Sequence, residues 1–159
     1  MNENKIKYNL YCHFSNYDYK LFNSFIYHWE SDFFAISKSG YSMECEIKIS
    51  KSDFKADFNK IIYNGQKKHD FLLDSNLNYK PNKFYFACPE GLIGSNEIDE
   101  KYGLIYINQS ITIIKEAKFL HKEKILNNIR DIRKLLDKFC YRNIELRKRL
   151  EIYDWDIKY

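Results

Sequence analysis

Glu44, Glu46 and Lys48 recur at every second position of the segment YSMECEIKI (41–49). Side chains alternate across a strand, so these three would share one face, with Cys45, Ile47 and Ile49 on the other. Such a face is either the wet side of a hairpin or, beneath a helix, a set of charges that must meet a metal or one another. Asp32 opens the preceding apolar run SDFFAIS (31–37), where strand propensity does not explain an acid. Lys38-Ser39-Gly40 between the two runs is a turn signal, so they form an antiparallel hairpin. The beginning of the first strand then reaches the end of the second, which brings Asp32 toward Glu46 and Lys48. Two converging carboxylates make a hard, oxygen-rich site suited to Mg²⁺ or Mn²⁺. An ion held there polarises a phosphodiester and lowers the pKa of bound water. Lys48 would orient that water or stabilise the charge that develops on the phosphoryl oxygens.

The rest of the chain supplies the scaffold. Residues 17–28 space Leu21, Phe22, Phe25 and Ile26 like one face of a short helix. Ser50 is an N-cap with Asp53 three residues on, a job that accounts for both residues. The helix that follows, 51–63, sets Phe54, Phe58, Ile61 and Ile62 on an apolar face. Asp53, Asp57 and Lys60 fall on a solvated one, where Asp57 and Lys60 pair at i,i+3. Residues 64–82 read as loop, and 83–89, 103–108 and 111–115 as strands. From about Ala117 the spacing of Leu120, Ile125, Ile129, Ile132, Leu136 and Phe139 predicts a long amphipathic helix. A break is expected near Cys140–Asn143, then more helix to about Ile152. The expected fold class is α/β: a small mixed sheet with an antiparallel hairpin, flanked by helices, plus a C-terminal helical extension. Residues 1–116 form the first unit and 117–159 the second.

Charge is uneven along the 159 residues. Residues 115–159 hold 13 Lys and Arg against 8 Asp and Glu, and all five arginines (Arg130, Arg133, Arg142, Arg147, Arg149) lie there. Attraction for phosphate should therefore come from the C-terminal end, which makes these arginines the candidate DNA-binding residues. Cys12, Cys45, Cys88 and Cys140 have neither zinc-like nor redox-like spacing, which fits a reduced, cytoplasmic protein. His13, His28 and His121 share no spacing suited to a metal. The polar N-terminus is no signal peptide, and no apolar run is long enough for a membrane span.

Asp32 followed by Glu46-Ile47-Lys48 resembles the PD-(D/E)XK nuclease superfamily, whose signature is an acid on one strand and (D/E)-x-K on the next. The proline is missing, since the chain reads Glu30-Ser31-Asp32. Over about residues 28 to 118 the likeness extends to ECEIKISKSDFKADFNK, KKHD, FYFACP and GLIYI, which resemble the MmcB-like and phage-encoded members. The longer string E-x-K-x-S-x-x-D-F-x-x-D is more specific than the short signature. The resemblance implies a restriction-endonuclease-like core, DNA as substrate and Mg²⁺ as cofactor. It also implies metal ligation by Asp32, Glu46 and the Ile47 backbone carbonyl, with Lys48 as the catalytic lysine. Glu30 and Glu44 are second-rank candidates for a further ligand or a base, Asp53 and Asp57 could border the site, and His69 could serve phosphate or proton transfer.

The expectation is a Mg²⁺-dependent deoxyribonuclease of phage or bacterial DNA processing or repair, in the bacterial host cell if phage-encoded. Its C-terminal helix would track DNA or hold a homodimer. Two alternatives stand beside it: a noncatalytic DNA-binding protein that keeps the nuclease fold, and an assembly or virion protein that works through that helix.

Overall fold

The computed structural model describes residues 3–62, 65–125 and 129–149. In chain order these form α1 (Glu3–His13), β1 (Tyr17–Phe25), β2 (Glu30–Ser37), β3 (Ser42–Ile47), α2 (Lys51–Asp57) and α3 (Lys68–Leu73). There follow β4 (Lys83–Pro89), β5 (Gly103–Ile107), β6 (Ile111–Lys115) and α4 (Ile129–Arg149). The protein is an α/β fold with one six-stranded mixed sheet, flanked by helices and completed by a C-terminal helix.

The sheet runs β1-β2-β3-β4-β5-β6. The expected hairpin is present, with Phe33 opposite Cys45 and Ile36 opposite Ser42, and its turn is closed by Gly40 at φ +85°. Only glycine takes such a backbone without steric cost. β4 then pairs parallel to β3, and β5 parallel to β4. A parallel pair cannot be joined by a tight turn, so residues 48–82 must cross over one face of the sheet, and α2 and α3 lie in that crossover. Every residue of β3 is buried as a result. Met43, Cys45 and Ile47 pack with Ile6 and Leu10 of α1. Glu44 and Glu46 lie on the other layer beside Phe84 and Phe86, so theirs is no wet face.

Four sequence expectations are corrected. Residues 17–25 are a strand, not a helix. Leu21 packs with Phe34 on one side of the sheet and Phe22 with Phe33 on the other, and neighbouring apolar side chains on opposite faces imitate helical spacing. α2 stops at Asp57, not 63: Phe58 caps it and the chain reverses, leaving Ile61 60% exposed. α3 occupies part of the stretch read as loop. The C-terminal helix begins at Ile129, not near Ala117, and is unbroken across 140–143. Residues 118, 120 and 125 instead donate backbone hydrogen bonds to Lys101, Asn82 and Gly40. The helical stretch expected beyond Arg149 lies outside the described residues.

α4 docks through Leu135 and Phe139 onto Leu21, Ile26, Phe34 and Ile36, and leaves Leu136, Tyr141, Ile144 and Leu146 exposed. Among the described residues no helix is long and apolar enough to cross a membrane.

Candidate functional site: a buried acid–lysine cluster

The hairpin ladder ends at Phe33–Cys45, and the chain beyond this point shapes the site. Asp32 turns its carboxylate onto the freed Ile47 N–H, accepting at 2.8 Å. Ile47 thus meets Asp32 through its amide N–H, a contact separate from the carbonyl that the resemblance offers to a metal. One alternation along β3, Glu46 is fully buried, and its Oε2 accepts from Lys48 Nζ at 3.2 Å. Asp32 thus lies at the same end of β2 and β3 as the Glu46–Lys48 pair, near enough to feel both charges.

Residues given at most an accessory place by the sequence, together with Lys60 and Lys68, complete the arrangement. Asp57, assigned to a solvated face, is fully buried, because the crossover lays α2 against the acid-bearing layer of the sheet. Its Oδ1 accepts from Lys48 and Lys60, both at 2.7 Å, and its Oδ2 pairs with His69 Nε2 at 2.8 Å. The expected Asp57–Lys60 pair exists, but it faces inward at its acid end. Lys68, at the start of α3, is fully buried between Glu46 and Glu44, 3.1 Å from the latter, and lies over the rings of Trp29 and Phe84. Glu44 also accepts from Trp29 Nε1 at 2.7 Å and Ser31 Oγ at 2.6 Å. Thus Trp29 is core, with its polar edge employed. Ser50 Oγ accepts from the Asp53 N–H, confirming the cap, and Asp53 borders the cluster 3.9 Å from Lys48. Glu30 is exposed at the first residue of β2 and has no place in the cluster.

Three ammonium groups (Lys48, Lys60, Lys68) thus face three carboxylates (Glu44, Glu46, Asp57), a balance without which burial would be prohibitive. Burial would raise Glu46, but Lys68, Lys48 and Lys60 outweigh it and hold its carboxyl below the usual range. Asp57 is likewise depressed: burial is overcome by the His69 hydrogen bond and by Lys68, Lys48 and Lys60. An ionised carboxylate only accepts, so in the neutral ring His69 Nε2 carries the proton and Nδ1 accepts from Tyr102, 2.9 Å away. Burial keeps the Tyr102 hydroxyl protonated for that role. Glu44 is pushed up by burial, which Lys68 only partly offsets.

Asp32 is the outlying acid. Burial, reinforced by the Glu46 charge, raises it to about 7, while the Ile47 N–H, Lys48 and Lys60 pull the other way. The folded state therefore favours protonated Asp32, a contribution fully present below the unfolded pKa near 4 and lost as pH rises through about 7. Asn at this position keeps an acceptor for Ile47. In metal-free urea titrations, Asp32→Asn should match the wild type near pH 4 and exceed it by about 1–2 kcal/mol above pH 7.5. A gain of equal size at pH 4 would show that ionisation is not its cause.

The candidate DNA-binding arginines divide. Arg142 donates to the carbonyls of Phe22, at 2.9 Å, and Asn23, so it ties α4 to β1. Arg133 and Arg149 are exposed on α4, and the side chains of Arg130 and Arg147 lie outside the described residues. Among the described residues no group of three or more Asp, Glu, His or Cys side chains stands arranged to hold a metal ion. The donor chemistry nevertheless suits a hard cation. Glu46 Oε2 and Asp57 Oδ1 converge on common ammonium groups, and Mg²⁺ is usually held by one or two carboxylates together with water and substrate phosphate.

Lys68 escaped sequence reasoning, and Asp57 and Lys60 were read as a solvated pair with Asp57 at most bordering the site, because their inward roles arise only once the crossover covers the sheet. One local signal existed: Asp57 lies between Phe54 and Phe58, at the margin of the apolar stripe of α2.

No family model and no curated protein matches the chain. Among solved structures it is similar to SPO1766, a protein of unknown function from Silicibacter pomeroyi, with 15% sequence identity and a TM-score of 0.66. The match covers 96% of this chain and 93% of that one. At that identity the likeness extends to the fold alone.

Proposed function

We propose that the protein is a Mg²⁺-dependent nuclease acting on DNA. The observation that carries this reading is the Glu46–Lys48 pair at the end of the β2–β3 hairpin, Nζ to Oε2 3.2 Å, with Asp32 anchored on the adjoining Ile47 N–H at 2.8 Å. Glu46 and Asp57 would hold the ion, with Asp32 beside them. When bound, the ion supplies Lewis acidity toward a phosphodiester and a water of lowered pKa. The protein's own part is positional. Asp57 fixes the Lys48 ammonium, and His69 with Tyr102 fixes Asp57, so that a positive charge is oriented before substrate arrives. The half-exposed Asp53 and Lys60 mark where the cluster opens to solvent.

Incubation with supercoiled plasmid tests this. Nicked circles should form with Mg²⁺ or Mn²⁺ and should not form with EDTA.

A second reading draws on the same cluster. Glu44, Glu46 and Asp57 are already matched by ammonium groups, as in a fold kept for binding alone. DNA retained in a gel shift, without cleavage in either metal, would select that noncatalytic protein.

A further inference from the structure

Lys48 and Lys60 place their Nζ atoms on the same two oxygens: Glu46 Oε2 at 3.2 Å and Asp57 Oδ1 at 2.7 Å in both cases. Their surroundings differ. Lys48 is 2% exposed, and its ammonium has no water to retreat to. Lys60 is 46% exposed at its side chain and reaches the oxygens from the solvent side. Its backbone is held independently of that reach. Lys60 N–H donates to Asp57 O at 3.1 Å, its carbonyl accepts from Lys68 N–H at 2.9 Å, and the Ile61–Lys67 bridge closes the loop above. The side chain can therefore swing out while the loop stays in place.

Resting on the nuclease reading, we propose that Lys60 is a built-in competitor for the divalent cation: its ammonium fills the cation's place between Glu46 and Asp57 and must leave before the ion binds. Of the three lysines in the cluster only Lys60 can leave cheaply. Lys68 and Lys48 would abandon carboxylates with no path to water, whereas the Lys60 side chain, 46% exposed, gives its ammonium a direct path from the two carboxylates to solvent. The acids stay neutralised in the resting protein, and the cost of burying them unpaired is never met. Cation binding is weakened by the same contact. The site would then load only where metal is plentiful or where DNA phosphate offers the displaced ammonium a new partner.

The experiment is direct Mn²⁺ binding, followed by the electron paramagnetic resonance signal of the free ion. It compares the full-length wild type with Lys60→Met, Lys60→Gln, Lys60→Arg and Lys55→Met. Lys55 is exposed on α2 and has no contact with Glu46 or Asp57, so its variant makes the same charge change elsewhere. Lys60→Met and Lys60→Gln should bind Mn²⁺ about tenfold more tightly than wild type, while Lys60→Arg and Lys55→Met stay near it. Having two neutral variants covers the case in which one fails to fold. Equal affinity in wild type, Lys60→Met and Lys60→Gln would overturn the competitor and leave the nuclease reading standing. So would a gain in Lys55→Met as large as that at position 60. Absence of Mn²⁺ binding from every chain would overturn both.

Discussion

Lys68→Met is expected to lower the free energy of unfolding by about 3–5 kcal/mol, the range for breaking a buried ion pair from one side. Methionine keeps most of the volume and the contacts with Trp29 and Phe84, so the loss would report charge, not packing. The two acids are unequally exposed to it. Glu46 retains Lys48 and Lys60, but among the described residues Glu44 has its only ammonium contact in Lys68, and its other partners there, Trp29 and Ser31, are neutral donors. Glu44 would therefore be left protonated or unpaired. Urea titration at neutral pH measures the loss, with an unchanged m-value to certify that the native state is still compact. Glu44→Gln added to Lys68→Met should restore a substantial part, since it removes the charge left stranded. A loss below 1 kcal/mol would mean that the cluster contributes little to holding the crossover on the sheet.

Lys48→Met should behave in the opposite way. Glu46 keeps Lys60 and Lys68, and Asp57 keeps Lys60 and His69, so stability should fall by no more than about 2 kcal/mol. Plasmid nicking, by contrast, should fall by about 10²–10³-fold, the usual effect of removing one preorganised positive or donor group from a phosphoryl or acyl centre. Gel-shift affinity for the same DNA should hardly change, because Lys48 acts on charge that develops in the transition state, while ground-state affinity is spread over many phosphate contacts. Nicking that survives this substitution in a folded protein would remove Lys48 from the chemistry and, with it, the main support for an enzyme.

These two lysines also show how much the sequence could disclose. Lys48 was legible because its role depends on local facts: a period of two, a turn at 38–40 and an acid on the adjoining strand. The same facts gave β2, β3, their register sense and the Ser50 cap. Strands β4 to β6 were legible from short apolar runs bounded by turn residues. Lys68 was not legible, because its burial follows from α3, and α3 is six residues long with no side-chain cap to announce it. β1 was misread because it sets apolar side chains on both faces, Leu21 toward Phe34 and Phe22 toward Phe33, which erases the alternation that marks a one-sided strand. α1 was overlooked since only Ile6 and Leu10 of its eleven residues are buried, too few to stand out in a polar segment.

The tie between Arg142 and β1 has a further consequence for how the molecule behaves in company. β1 is a terminal strand, and the open side of a terminal strand is a template on which another chain can add by backbone pairing. Here the guanidinium occupies the Phe22 and Asn23 carbonyls, and Asn23 at φ +46° interrupts the flat run that such an addition needs. An arginine first counted among the candidate DNA-binding residues thus blunts the open edge of the sheet. Shortening the chain ahead of α4 would remove that tie and lay bare the apolar patch around Leu21 and Phe34 together.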